Sequence, residues 1–292
     1  MPQKEYLDKY LIDKTLRHAV ILTNLEQVES GTAIAIDSKL FILTAAHVGR
    51  FLEAKRAKSK IQLGSWSGTY KMKNLESACF LFPDEKVRED LLDVCVIELP
   101  KGIFTETEEK QFACLADIDL DQKGHSFCLT GIPFGFWKPD SSTSNNRTLR
   151  IEDVLLTYFA RLYRGKDRPF AYSNDINFLL KENRHGPLDT KYVDHSPFTR
   201  SLPTDTLPRL SGMSGCGVWR YRVSNVSGQD SNTVEPIIRL VGIEHRAKLA
   251  SYMCCTKIGF ALHLIYKKYS NLSDPFGYWI RKHILELSSK WA

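Results

Sequence analysis

Between Arg17 and Leu262 the chain is a succession of short apolar runs broken by turn-forming residues. A first group comprises Arg17–Thr23, Gly31–Asp37, Lys39–Thr44, Ile61–Leu63, Ala78–Phe82 and Asp93–Leu99. A second comprises His125–Gly131, Leu149–Leu162, Ile176–Lys181, Val218–Arg222, Ile237–Ile243 and Met253–Leu262. All are rich in Ile, Val, Leu and Phe, and Ser38-Lys39 reads as a tight hairpin between two of them. Many short strands separated by turns exclude a parallel sheet with crossover helices and predict sandwiches or barrels. The two groups place one small barrel at 13–120 and another at 121–265. A brief helix is expected over residues 3–12, within an N-terminal extension spanning 1–12. The tail, 266–292, has Phe276, Trp279, Ile280, Ile284 and Leu285 at helical spacing, so a C-terminal helix should pack on the second barrel.

Composition narrows the functional classes. Of 292 residues, 43% are hydrophobic and 25% charged, which suits a core-forming globular protein rather than a disordered one. The net charge of +6 is spread over Lys55–Lys60, Arg161–Arg168 and the C-terminal lysines. No RNA-reading or zinc-finger pattern accompanies it, so no nucleic-acid partner is expected. No apolar run approaches the ~20 residues of a membrane helix. The polar start, Met1-Pro-Gln-Lys-Glu-Tyr, lacks the apolar core of a secretory signal. Seven cysteines, an odd number without a CxxC pair, argue against a zinc site and for reduced thiols in a cytoplasm. Two stretches are loop-like: Lys138–Arg147 and Glu182–Pro208, the second holding four of the twelve prolines. A loop that long in a compact domain is usually functional.

Three segments carry chemistry. Phe41-Ile-Leu-Thr-Ala-Ala-His47-Val48 runs an apolar strand into a small-residue turn with one imidazole, as a general base on a rigid element requires. Leu91-Leu-Asp93-Val-Cys-Val-Ile-Glu-Leu99 sets a carboxylate at the head of an apolar strand, a costly place unless a partner such as histidine pairs with it. Leu210-Ser-Gly212-Met-Ser214-Gly-Cys-Gly217 surrounds one hydroxyl with glycines, whose backbone freedom can aim amide N–H groups at a single point.

In that order, Thr44-Ala-Ala-His47-Val resembles the histidine motif of the chymotrypsin/trypsin superfamily. Asp93-Val-Cys-Val-Ile-Glu-Leu resembles its aspartate strand and Gly212-Met-Ser214-Gly-Cys-Gly-Val its serine turn. Leu240-Val-Gly-Ile243 resembles the cleft strand after the serine, and Gly259-Phe-Ala-Leu262 a late strand of HtrA-like and bacterial branches. The resemblance implies an all-β fold of two six-stranded antiparallel barrels and a serine endopeptidase working through an acyl-enzyme. Ser214 would be the nucleophile, His47 the general base and Asp93 its orienting carboxylate, with the N–H groups of Gly212 and Ser214 as oxyanion hole. No metal or organic cofactor is implied. Cys216 reads as a buried residue behind the turn rather than a rival nucleophile.

Departures from the family pattern bear on control and specificity. Met213 stands where digestive relatives have the aspartate that pairs with a newly cut N-terminus, and Val48 replaces a disulfide cysteine. Control by a partner or trigger, with Glu182–Pro208 as its seat, is therefore expected, as for bacterial relatives that work beside partner proteins in stress or defence. Pro208 occupies the position of trypsin's specificity aspartate. Glu244, receiving Arg or Lys, and His245, donating to Gln or Glu, are the candidate substrate-binding residues. The substrate is expected to be protein or peptide. The alternative is a catalytically silent scaffold on the same fold.

Overall fold

The computed structural model describes residues 3–24, 27–63, 72–84, 91–124, 126–131, 156–165, 172–182, 213–223, 236–248 and 252–269. Lys138–Arg147, the greater part of Glu182–Pro208, Gly212 and the tail helix lie outside the described residues.

Helix α1 (Gln3–Leu16) runs one turn beyond the expected 3–12 and buries Leu11, Ile12 and Leu16. Its Thr15 hydroxyl lies 2.6 Å from that of Thr130, which lies 2.8 Å from that of Thr157. Those two threonines belong to the second half of the molecule, so the N-terminal helix is pinned there.

The first half is a curled antiparallel sheet of seven strands. These are β1 (Ala19–Thr23), β2 (Val28–Ile36), β3 (Lys39–Thr44), β4 (Lys60–Leu63), β5 (Lys73–Asn74), β6 (Cys79–Leu81) and β7 (Cys95–Glu98). Their order is β5-β4-β1-β2-β3-β7-β6. The expectation of a closed six-stranded first barrel needs correction: among the described residues edge strands β5 and β6 do not pair, leaving a half-barrel. Two- and three-residue strands offer too few ladder hydrogen bonds to close it. The β2–β3 turn falls on Asp37-Ser38, one residue earlier than expected, and Asp37 takes φ 53°, a left-handed conformation that Asp tolerates.

The second half meets the expectation of a six-stranded barrel. It comprises β8 (Phe127–Gly131), β9 (Leu156–Leu162), β10 (Asn177–Glu182), β11 (Gly217–Arg222), β12 (Ile237–Lys248) and β13 (Tyr252–Lys257). The order β10-β13-β12-β11-β8-β9 closes through β9 and β10. A second correction concerns Gly259-Phe-Ala-Leu262. The strand stops at Lys257, and helix α4 (Ile258–Lys268) takes over. Ile258, Ala261, Leu262 and Ile265 recur at helical spacing and are all buried, so the period of the apolar residues overrides the strand reading.

Separate apolar cores fill the first sheet and the second barrel, and a third lies in the seam between them. Phe41 and Leu43 of β3 meet Trp219, Leu240 and Ile258 in that seam. Each such burial stabilises by roughly 1.5–3 kcal/mol. The catalytic candidates sit along the same seam because β3 and β12 both run into it.

Candidate active site

Strand β3 passes through Ala45 directly into helix α2 (Ala46–Ala54), so His47 occupies the first helical turn. Ala45 has no side chain to cap that turn. The His47 backbone N–H instead donates to Asp93 Oδ1 at 3.1 Å. The other carboxylate oxygen, Oδ2, lies 2.7 Å from His47 Nδ1. One buried carboxylate thus caps the helix and holds the imidazole, in a place where the helix dipole favours negative charge. Gly49 makes the approach possible, since a Cβ there would overlap Cys95 Sγ on β7. The helix can therefore lie flat on the strand that follows Asp93.

Electrostatics support the pair. Burial pushes the Asp93 carboxyl up, but His245 and His47 outweigh it and leave it well below the usual carboxylate range. Burial pushes the His47 imidazole down; Asp93, through hydrogen bond and charge, and Glu29, through charge, reverse this and raise it, with Arg246 opposing. The His47 side chain remains 49% exposed, against 7% for Asp93. The imidazole is anchored on one edge and open on the other.

The serine turn is laced onto β12. Gly215 N–H donates to Glu244 O at 2.7 Å, and Glu244 N–H donates to Cys216 O at 3.0 Å. Gly215 has φ 96°, and a Cβ on it would overlap Thr44 Oγ1 and Ser30 O. Glycine is required there both by conformation and by space. The overlap shows the serine turn abutting Thr44, three residues before His47 in sequence, at Gly215. The Ser214 hydroxyl donates to the carbonyl of His245 at 3.3 Å, and no hydrogen bond joins it to His47.

The site residues named from sequence thus divide. His47 and Asp93 are bonded, while Ser214 bonds the His245 carbonyl and Gly215 after it abuts Thr44 at the end of β3. Gly212 and Pro208 lie outside the described residues. Glu244 and His245 are enclosed rather than lining an exposed surface. Burial, with the charges of Asp93 and Glu29, pushes the Glu244 carboxyl well up, and neither of its oxygens has a hydrogen-bond partner. Cys216 is fully buried and its thiol is pushed well up by burial and by Glu244, which keeps it from being a thiolate nucleophile. Sequence reading missed Glu29, whose carboxyl burial pushes up to about 7 against the pull of His47. The sequence held one signal for it, a lone charge inside the apolar alternation of β2. It also missed the approach of His245 Nδ1 to Asp93 Oδ2, 3.7 Å. No cluster of His, Cys, Asp or Glu able to hold a metal occurs among the described residues.

No protein-family model and no curated protein matches the chain. Among solved structures it is similar to the Rv3671c protease of M. tuberculosis H37Rv in an inactive form. One structure, of a serine-to-alanine mutant, has a TM-score of 0.45 at 12% identity, covering 94% of this chain and 97% of the other. A second has a TM-score of 0.46 at 13% identity, covering 90% and 94%. Strand order and barrel closure, not these distant likenesses, define the fold: a closed six-stranded β-barrel joined to a curled seven-stranded half-barrel. No described helix is long and apolar enough to cross a membrane.

Proposed function

We propose that the chain is a serine endopeptidase in which Ser214 is the nucleophile, His47 the general base and Asp93 its orienting acid. The observation that carries this reading is the 2.7 Å contact between His47 Nδ1 and Asp93 Oδ2 at the foot of a half-exposed imidazole. With Nδ1–H donating to the carboxylate, Nε2 is the basic nitrogen. Ser214 Oγ attacks the scissile carbonyl carbon while its proton passes to His47 Nε2, and the carbonyl electrons move onto oxygen. The N–H groups of Ser214 and Gly212 receive that oxyanion. Collapse breaks the C–N bond, and the amine leaves with the proton from Nε2. Water then repeats the sequence on the acyl-enzyme.

A second reading, a silent scaffold, draws support from one observation, the Ser214 hydroxyl resting on the His245 carbonyl. Catalytic hydrogen bonds often tighten only when substrate is bound, and a rotamer change at Ser214 redirects Oγ. Met213 is fully buried in the barrel core and brings no carboxylate to meet a new N-terminus, so control falls to a partner or trigger rather than to zymogen cleavage. All seven cysteines are free, which suits a reducing cytoplasm, and protein or peptide substrates follow from the endopeptidase reading. Digestion of a peptide library tests the proposal. New termini generated by the wild type and absent with Ser214→Ala support an endopeptidase. Equal yields from both proteins, or none from either, favour the scaffold.

A further inference from the structure

We infer that His245 is a positioning residue: a second imidazole, set behind Asp93, that fixes the carboxylate against His47 and ties it to the serine turn. This rests on the serine-protease reading and adds to it a fourth residue.

The backbone gives the first reason. In the ladder between β12 and β13, Glu244 pairs with Cys255 and Arg246 with Cys254. His245 is therefore the extra residue of a β-bulge. Bulges re-aim one side chain and occur next to active sites. The bulge takes His245 out of the regular pairing of β12.

The side chain gives the second. His245 is 2% exposed, and its Nδ1 lies 3.7 Å from Asp93 Oδ2, at ion-pair distance but too long for a hydrogen bond. The same oxygen receives His47 Nδ1 at 2.7 Å. Neither ring nitrogen of His245 has a hydrogen-bond partner. An imidazole enclosed without a partner is costly. Here the enclosed ring presents its Nδ1 edge to the Asp93 carboxylate.

The main chain gives the third. The His245 carbonyl accepts the Ser214 hydroxyl at 3.3 Å, and the preceding residue, Glu244, exchanges backbone hydrogen bonds with Gly215 and Cys216. One residue thus touches the acid through its ring and the nucleophile through its backbone. Movement of the bulge would displace both together. The enclosed position also moves His245 from the substrate-binding role expected from sequence to a supporting one.

The charge balance follows. His47 is faced by Asp93, Glu29 and Arg246; Asp93 is faced by His47 and His245, with Glu244 also bearing on it. By drawing on Asp93 Oδ2, His245 keeps the carboxylate ionised and moderates the basicity it confers on His47. Replacing His245 by an apolar residue should leave Asp93 to His47 alone and make His47 more basic.

The test compares His245→Leu with His245→Asn, whose side-chain N–H can take the place of Nδ1–H. The titration of His47, followed by NMR in protein with 15N-labelled histidine, is measured beside kcat and KM for a cleaved peptide. In the Leu variant the His47 midpoint should move to higher pH, and kcat should fall on the order of 10²-fold with KM within about twofold of wild type. The Asn variant should restore most of both. An unmoved or lowered His47 midpoint in the Leu variant, or an Asn variant no better than Leu, overturns the inference. The NMR measurement decides it even if the protein proves not to cleave peptides, a result that would sink the protease reading alone.

Discussion

At the scale of single residues, the chemistry reduces to one carboxylate with two hydrogen-bond donors and a second imidazole beside it. Asp93 accepts the His47 backbone N–H, accepts the His47 ring and faces His245. Asp93→Asn should leave the fold intact but lower kcat by about 10⁴, because an amide no longer selects the tautomer with a basic Nε2. A His47 imidazole raised above 6.5 must lose its proton before it can act, so the acid limb of the rate profile should have its midpoint above that value. Glu29 adds a second pH effect, this one on stability. Its folded carboxyl titrates near 7, against an ordinary value of 4.5, so the protonated form is the one the fold prefers. That contribution is complete below about 4.5 and is lost as pH rises towards about 7. Melting temperatures at the two ends of this window should differ more for the wild type than for Glu29→Gln. Asp93 works in the opposite sense: its stabilisation is present above its ordinary value of 3.8 and is lost as the pH falls below it.

At the scale of elements, the junctions position the site. Gly215 must be glycine because its φ of 96° and the nearby Thr44 and Ser30 leave no place for a Cβ. Gly102 provides the comparison, with φ 75° and nothing within 4 Å of a built Cβ. Gly102→Ala should cost roughly 1–2 kcal/mol, the conformational term alone. Gly215→Ala should cost clearly more and should also displace Ser214. Urea unfolding of the two variants measures the difference. These junctions also show what the chain discloses before folding. His47 and Asp93 were legible because each stands alone at the end of an apolar strand, where a polar side chain needs a reason. The second barrel was legible because its strands alternate and are long enough to pair. The open first sheet was not, since nothing in Lys73–Asn74 or Cys79–Leu81 announces how few ladder bonds they make. The β12 bulge was equally hidden: a one-residue shift depends on the facing strand, and Glu244-His245 alone reads as ordinary alternation. Gly259–Leu262 misled because a short apolar run fits a strand as well as a helix.

At the scale of the whole molecule, the two halves are held by the apolar seam and by a polar clasp at one end of it. Glu98 of β7 receives Lys39 at 3.2 Å, Lys268 at 2.8 Å and the hydroxyl of Tyr269. Lys39 also stands 4.2 Å over the Tyr269 ring. Helix α4, which continues directly from the second barrel, is thereby fastened to the first sheet. Burial pushes the Glu98 carboxyl up, but Lys268, Tyr269 and Lys39 bring it below its ordinary range, so the clasp should weaken as the pH falls through that range. Glu98→Ala should cost about 1–2 kcal/mol, given partial solvent screening, and should speed amide exchange in α4. Leu43→Ala, in the seam itself, should cost about 2–5 kcal/mol. The larger loss from the seam would show that apolar packing, with the clasp as a supplement, holds the two halves together.

The proposed pairing of Ser214 with His47 is most directly tested by reacting the protein with a fluorophosphonate and mapping the adduct by mass spectrometry. The account predicts a single modified residue, Ser214, with no adduct in Ser214→Ala and strongly slowed labelling in His47→Ala. An unreactive wild type, an adduct elsewhere, or labelling of Ser214 that is indifferent to His47 would contradict it.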